Sequence, residues 1–259
     1  MFLCSSNKVV LIFNFSFRFH KIVSYFYEIF FMPFFPFEVF LKSLNSNSLF
    51  DSALRSSDYI PLDLSIHNTE LKAVNVSSSD ELERFIWSFM HRHKAKVAYG
   101  GYLEERGIYK RSAYFNQENP DTERNIHLGL DFWIGAETPI YAPLSGTLHS
   151  FKNNGNYGDY GPTLVLKHRI NSFDFYTLYG HLSLASLKGK EIGAEVKQGE
   201  QIATLGTASV NGDYPPHLHF QIIKDIQNFE GDYPGVSHLK DLEFYKANCP
   251  DPALLFDLK

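Results

Sequence analysis

Cysteine is scarce: the 259 residues hold two, Cys4 and Cys249, far apart and with no C-x-x-C pair. That excludes a disulfide framework and a cysteine-ligated zinc knuckle, and leaves the redox compartment open. Excess positive charge is missing as well. Lysine and arginine number 24 against 29 acidic residues, for a net charge of −5, which argues against a nucleic-acid binder with its broad basic surface. The one dense basic cluster, His91-Arg92-His93-Lys94-Ala95-Lys96, reads as the solvated end of a helix, where cations suit the dipole. No internal repeat of roughly 20 to 50 residues is visible.

An unbroken apolar span is also lacking. A membrane helix needs about 20 mostly apolar residues. The window Ile22 to Leu41 has that length, but Glu28, Glu38, Pro33 and Pro36 interrupt it. An export signal needs a basic start, an apolar stretch and a small-residue cleavage site. Lys8 followed by VVLIFNFSF meets the first two poorly, no A-x-A follows, and the first alanine is Ala53. The region instead has phenylalanine, half of the chain's 24 falling in the first 40 residues. Residues 1–49 are therefore expected to form a Phe-rich leader: an anchor, an atypical signal, or translated upstream sequence before a true start at Met32. The first two place the protein in the cell envelope or periplasm, the third in the cytoplasm. Membrane contact is expected only from an anchor.

Hydrophobic residues at 44% and charged residues at 20% fit a globular protein, long enough for one sizeable core with an accessory piece. SLNSNSLFDSALRSSD, residues 43–58, reads as a linker. Residues 50–115 are expected to form an accessory region with one amphipathic helix. Ser78 and Glu81 make a capping-box pattern, and Leu82, Phe85, Ile86, Phe89 and Met90 repeat at helical spacing across Ser78 to His91. Tyr99-Gly-Gly-Tyr102 then signals a turn. From residue 116 short runs recur between glycine and proline turns: PIYAPL, TLHSF, TLVLKH, FDFYTLYGHL, QIATLG and HLHFQII. The expected fold class is mainly β, an antiparallel sheet or sandwich over residues 116–228 with a small N-terminal helical accessory region. Residues 229–259 would pack on it as a tail.

Eleven histidines are many for this length, and their placement is uneven. In HLHFQII, His217 and His219 stand two apart on an expected strand, so both point to one face. Alone, H-x-H is equally well a partly exposed pair. In NIHLGLD, His127 and Asp131 stand four apart; in an extended segment they share a face, with Gly129 leaving room between them. Catalytic zinc takes three nitrogen or oxygen ligands and keeps a fourth position for water. His127, Asp131 and one of His217 or His219 supply that set. Tyr179-Gly-His181 closes another strand, so the chain holds more imidazoles than a metal needs. The surplus pair suits proton transfer or oxyanion stabilisation.

The order H-x-x-x-D, Y-x-H-L, H-L-H-F resembles the lysostaphin-like zinc metallopeptidases, a family of peptidoglycan endopeptidases. The framing segments HLGLDFWIGAETPIYAPLSGTLHSF, GPTLVLKHRINSFDFYTLYGHLS and VKQGEQIATLGTASVNGDYPPHLHFQI are similar to family stretches, in order, over about residues 120 to 224. The resemblance implies Zn2+ held by His127, Asp131 and His219, and His181 and His217 as the non-ligand catalytic pair. It implies a metallo-endopeptidase acting on a peptide or peptidoglycan substrate, through cross-links or stem peptides. The sequence departs from the family at SVNGDYPPHLH, where serine and glycine are usual, and at Gln221, where glutamate is usual.

His168 matches a family position of structural type, and His149 is expected to be exposed or bonded to loop backbone. His20, His67, His91, His93 and His238 lack ligand spacing and read as surface residues. Of Tyr99, Tyr109 and Tyr114, one is within reach of a groove, though packing is the plainer role. Two rival functions stand beside the hydrolase: a non-haem iron enzyme, since two histidines and a carboxylate also make a facial triad, and a non-catalytic metal-binding regulatory module on the same fold.

Overall fold

A computed structural model of the chain describes residues 36–112, 115 and 123–258. The expectations for an anchor, signal or start at Met32 fall largely or wholly outside them. The chain divides into two units, the first ending at Ser43. Its described part is helix α1 (Phe37–Ser43), with Glu38 in the first turn and Lys42 in the last, as the helix dipole favours. Among the described residues no helix is long and apolar enough to cross a membrane.

The second unit is organised by one eight-stranded sheet, in the order β1-β2-β4-β11-β8-β7-β6-β9. Its strands are β1 (Tyr59–Pro61), β2 (Val97–Gly100), β4 (Leu130–Trp133), β6 (Gly146–Asn154), β7 (Gly161–Ile170), β8 (Phe173–Gly180), β9 (Glu195–Val196) and β11 (His217–Ile223). Two small pairs complete the set: β3 (Ile126–His127) with β12 (Val236–Ser237), and β5 (Pro139–Tyr141) with β10 (Gln201–Thr204). Every pair is antiparallel except β1 with β2, which is parallel. The mainly β expectation holds. The region before residue 116, expected to be helical, also supplies two strands of the main sheet.

Alternation sorts the two faces. Tyr99, Leu130, Phe132, Leu218, Phe220 and Tyr179 fall on one face, as their register across β2, β4, β11 and β8 requires. There Phe132 meets Phe50 and Phe256 edge-on at 5.7 and 5.9 Å, and Phe220 meets Phe256 at 5.5 Å. Each buried phenylalanine contributes roughly 1.5–3 kcal/mol by leaving water. The opposite face carries Ala98, Asp131, Trp133, His217, His219 and Gln221. Helix α2 (Ser79–Arg92) covers part of it, burying Leu82, Ile86 and Met90 beside Ala98 and Trp133. The Ser78 hydroxyl caps this helix by accepting from the Glu81 amide at 3.3 Å. Glu81 does not return the bond but accepts from the Asn75 amide instead, so the capping box is half made.

Candidate metal centre

Strand pairing sets Asp131 across from His219 and Trp133 across from His217. His127 arrives from elsewhere, on β3, which pairs with β12 at Val236. This corrects the expectation of one extended segment: β3 and β4 belong to different sheets and the chain turns between them at Leu128-Gly129. The role of Gly129 changes too. A Cβ there would lie 2.4 Å from Cε1 of His219, so glycine makes room for that imidazole rather than for a gap between His127 and Asp131.

Three acceptor atoms converge. Nε2 of His127 is 2.9 Å from Nδ1 of His219, which is 3.1 Å from Oδ1 of Asp131; His127 Nε2 and Asp131 Oδ1 are 3.3 Å apart. The protons are fixed from outside the triangle. His127 donates Nδ1–H to the Gly101 carbonyl at 2.9 Å, leaving Nε2 bare. Gln221 donates its amide to the Pro234 carbonyl, which turns Oε1 towards Nε2 of His219 at 3.1 Å. That nitrogen therefore carries the hydrogen, with the Tyr160 hydroxyl also 3.3 Å away, and Nδ1 is bare. Two lone pairs and a carboxylate at such spacings repel unless a cation lies among them. Ligands at zinc's usual 2.0–2.1 Å in a tetrahedron stand about 3.3 Å apart, close to the triangle found. The residues fit a divalent metal with every outward atom committed.

Asp131 has one further partner. Its Oδ2 accepts from Nη1 of Arg106 at 2.5 Å, and Arg106 Nε in turn donates to Glu104 at 2.5 Å, all well buried. Burial opposes charge on Asp131, but His127 and Arg106 outweigh it and hold the carboxyl well below its usual range. Burial lowers His127 to about 4, so its ring is neutral at ordinary pH.

His181 and His217 form a second cluster beside the first. Their ring centroids are 4.2 Å apart, and Nε2 of His217 lies 3.9 Å from Asp131 Oδ1. His181 donates Nδ1–H to the Asn211 carbonyl and His217 to the Pro215 carbonyl, both at 2.7 Å. Each ring thus keeps a bare Nε2. Burial pushes both pKa values down, and the facing imidazole adds to that for His181. His181 directly follows β8 with φ at 64°, a left-handed conformation that costs roughly 1–2 kcal/mol. Its amide donates to the Tyr160 carbonyl and the next amide to Pro162, which hold that turn.

The five expected site residues therefore come together. Arg106, Gly101 and Tyr160 were not foreseen, because their contacts are long-range and follow no spacing. His168 is buried and structural in its contacts, while His149 bonds the Ser150 hydroxyl from within β6 rather than from a loop. His93 and His238 make local contacts to Phe89 and Asp241, and His67 and His91 are exposed. His20 lies outside the described residues. Tyr99 is on the far face, Tyr109 lines the site cavity, and Tyr114 lies outside the described residues.

The sequence model of Peptidase family M23 matches residues 125–230, the stretch that carries the histidine and aspartate motifs. An uncharacterized metalloprotease of Haemophilus influenzae is 34% identical over 107 residues, 41% of this chain and 20% of that protein. The DD-carboxypeptidase/endopeptidase Mpg of Neisseria meningitidis is 31% identical over 125 residues, 47% of this chain and 26% of that protein. Among solved structures, the catalytic domain of lysostaphin from Staphylococcus simulans shares 26% identity and a TM-score of 0.34, covering 47% of this chain and 80% of that one. The match thus spans only about a fifth to a quarter of the two curated relatives.

Proposed function

We propose that the protein is a zinc-dependent hydrolase of peptide-type amide bonds, with His127, Asp131 and His219 as ligands and His181 and His217 handling protons. The observation that carries this reading is the triangle of bare acceptors with its outer atoms already bonded. When bound, zinc supplies Lewis acidity towards an amide carbonyl and lowers the pKa of a water to about 7. The Nδ1 bonds to Asn211 and Pro215 keep Nε2 of His181 and His217 free to accept a proton. With the rings in contact, both cannot be charged together, so one proton at a time is held and passed to the departing amine. One relative is named as a DD-carboxypeptidase/endopeptidase, so peptidoglycan and D-alanine-containing peptides are the first substrates to test.

The test compares His219→Ala with His217→Ala. The first is expected to lose zinc and turnover together; the second to keep stoichiometric zinc, by elemental analysis, and lose turnover. Equal zinc loss in both would overturn the division of roles. Iron in protein purified without added metal, with oxygen-dependent chemistry, would favour the facial-triad enzyme instead.

A further inference from the structure

We propose that Arg111, in the accessory region, is a positioning residue for the proton-handling pair: it clamps one loop whose carbonyls fix both His181 and His217. This rests on the hydrolase reading above and deepens it. The loop is residues 205–216, which join β10 to β11. It carries the Asn211 carbonyl, which accepts from His181 Nδ1, and the Pro215 carbonyl, which accepts from His217 Nδ1, both at 2.7 Å. A shift in this stretch would move both acceptors and release both rings from their present tautomer. It is also the stretch, SVNGDYPPHLH, where the sequence departs from the family it resembles.

Arg111 closes the short turn Gly107–Arg111, and its side chain is only 3% exposed. Nη2 donates to the Asp213 carbonyl at 2.6 Å, and Nη1 donates to Asp213 Oδ2 at 3.3 Å. The guanidinium carbon lies 4.4 Å from the centre of the Tyr214 ring. One planar cation thus grips the loop by backbone, carboxylate and ring at once. Asp213 needs such a hold, because its φ of 66° is left-handed. The Ser79 hydroxyl, at the start of α2, adds a second tie by donating to Asp213 Oδ1 at 3.0 Å. Tyr214 passes the constraint on. Its amide donates to Asn211 Oδ1 at 3.0 Å, and its carbonyl accepts from Asn211 Nδ2 at 3.1 Å. Its hydroxyl donates to the Gly158 carbonyl at 2.8 Å, and its ring meets His181 and His217 edge-on at 5.1 and 5.9 Å. The metal triangle is fixed elsewhere, by Gly101, Gln221 and Arg106. Loosening the clamp should therefore disturb the proton pair and leave the metal in place.

The experiment compares the zinc-loaded full chain with Arg111→Met and Arg111→Lys, by imidazole nitrogen NMR, zinc content and kinetics on D-alanine-containing peptides. In the parent, His181 and His217 should each show a single tautomer with the proton on Nδ1. In Arg111→Met both should move towards a mixture of tautomers, with zinc still stoichiometric. Its kcat should fall roughly 10- to 100-fold, as for a catalytic group displaced by about 1 Å, with KM little changed. Arg111→Lys keeps the charge but not the planar fork, and should fall between the two. An arginine that only stabilises the fold would lower the melting temperature and leave tautomers and kcat at parental values. That result, in whichever of the variants folds, would overturn the proposal. Zinc lost together with turnover would overturn it too, since the clamp would then not act on the proton pair alone. If the parent cleaves none of the peptides the hydrolase reading falls, and the tautomers by themselves decide whether Arg111 positions the pair.

Discussion

His168 and His219 lie on the two strands flanking β8, one on each face of the sheet, and both are almost wholly buried. Both rings have partners at each nitrogen, yet the partners differ in kind. His168 donates Nδ1–H to the Ser145 carbonyl at 2.8 Å, and its Nε2 faces the Thr177 hydroxyl at 2.7 Å, with Phe175 stacked on the ring. One donor meets one acceptor at each end, so a neutral ring is complete. His219 is complete only at Nε2. Its Nδ1 faces a carboxylate and another bare nitrogen. Burial and hydrogen-bond number do not separate a self-sufficient histidine from one in a cluster that could hold a metal. Acceptors gathered without a donor do.

The largest expected effect tests the charge that distinguishes the two neighbourhoods. Arg106 lies between Glu104 and Asp131, while among the described residues no charged partner contacts the His168 ring nitrogens. Arg106→Met would leave two buried carboxylates without their cation. Removing one partner of such a pair costs about 3–5 kcal/mol, so urea unfolding of the metal-free variant should show a loss of that order. A second change, Glu104→Gln, should recover part of it. A loss below about 1 kcal/mol would mean that the ion pair does not hold this corner of the site together.

His168 provides the next test, through pH. Burial lowers its pKa from 6.5 to about 4. Below 6.5 the unfolded chain binds a proton that the folded chain refuses, so stability rises with pH across this window. The contribution is fully present above 6.5 and is lost as pH falls through about 4, amounting to roughly 3 kcal/mol. His168→Gln should therefore unfold with a shallower pH dependence than the parent between pH 6.5 and 4. The other buried histidines titrate in both proteins and cancel in the difference. Parallel curves would show that His168 is charged, or exposed, in the folded protein.

Legibility in the sequence followed the range of each interaction. Strand alternation placed His217 and His219 together, and helical spacing gave α2 to within a residue, because both depend on neighbours in the chain. The meeting of His127, Asp131, His181 and His219 was legible through family resemblance. What stayed hidden joins distant segments. Arg106 carries no signal in the sequence; it is brought to Asp131 where β3 and the Leu103–Arg106 segment exchange backbone bonds. Gln221 read as a departure from the family pattern; the Pro234 carbonyl, reached only after the chain turns back, makes it the residue that sets the His219 tautomer. Likewise, nothing local marks residues 59–61 and 97–100 as extensions of the same sheet, since β1 and β2 pair in parallel across the whole of α2.

Two glycines bring the comparison to its finest grain, because each imidazole has one packed against it. A Cβ at Gly129 would come within 2.4 Å of the His219 ring, and one at Gly146 within 2.8 Å of His168 Nδ1 and 2.6 Å of the Lys167 carbonyl. Neither glycine has a positive φ, so alanine introduces only the steric push. At Gly146 the push falls on backbone as well as on a ring already complete, and the outcome is lost stability with zinc affinity intact. At Gly129 it falls on a ring whose position sets one corner of the metal triangle. Displaced ligands and outer partners typically cost 10–100-fold in metal affinity, or about 1.4–2.7 kcal/mol. Competition with a chelating dye should therefore show weakened zinc binding for Gly129→Ala and parental binding for folded Gly146→Ala. Equal affinities in the two variants would mean that the His219 ring can yield without losing the metal, and that Gly129 only fills a turn.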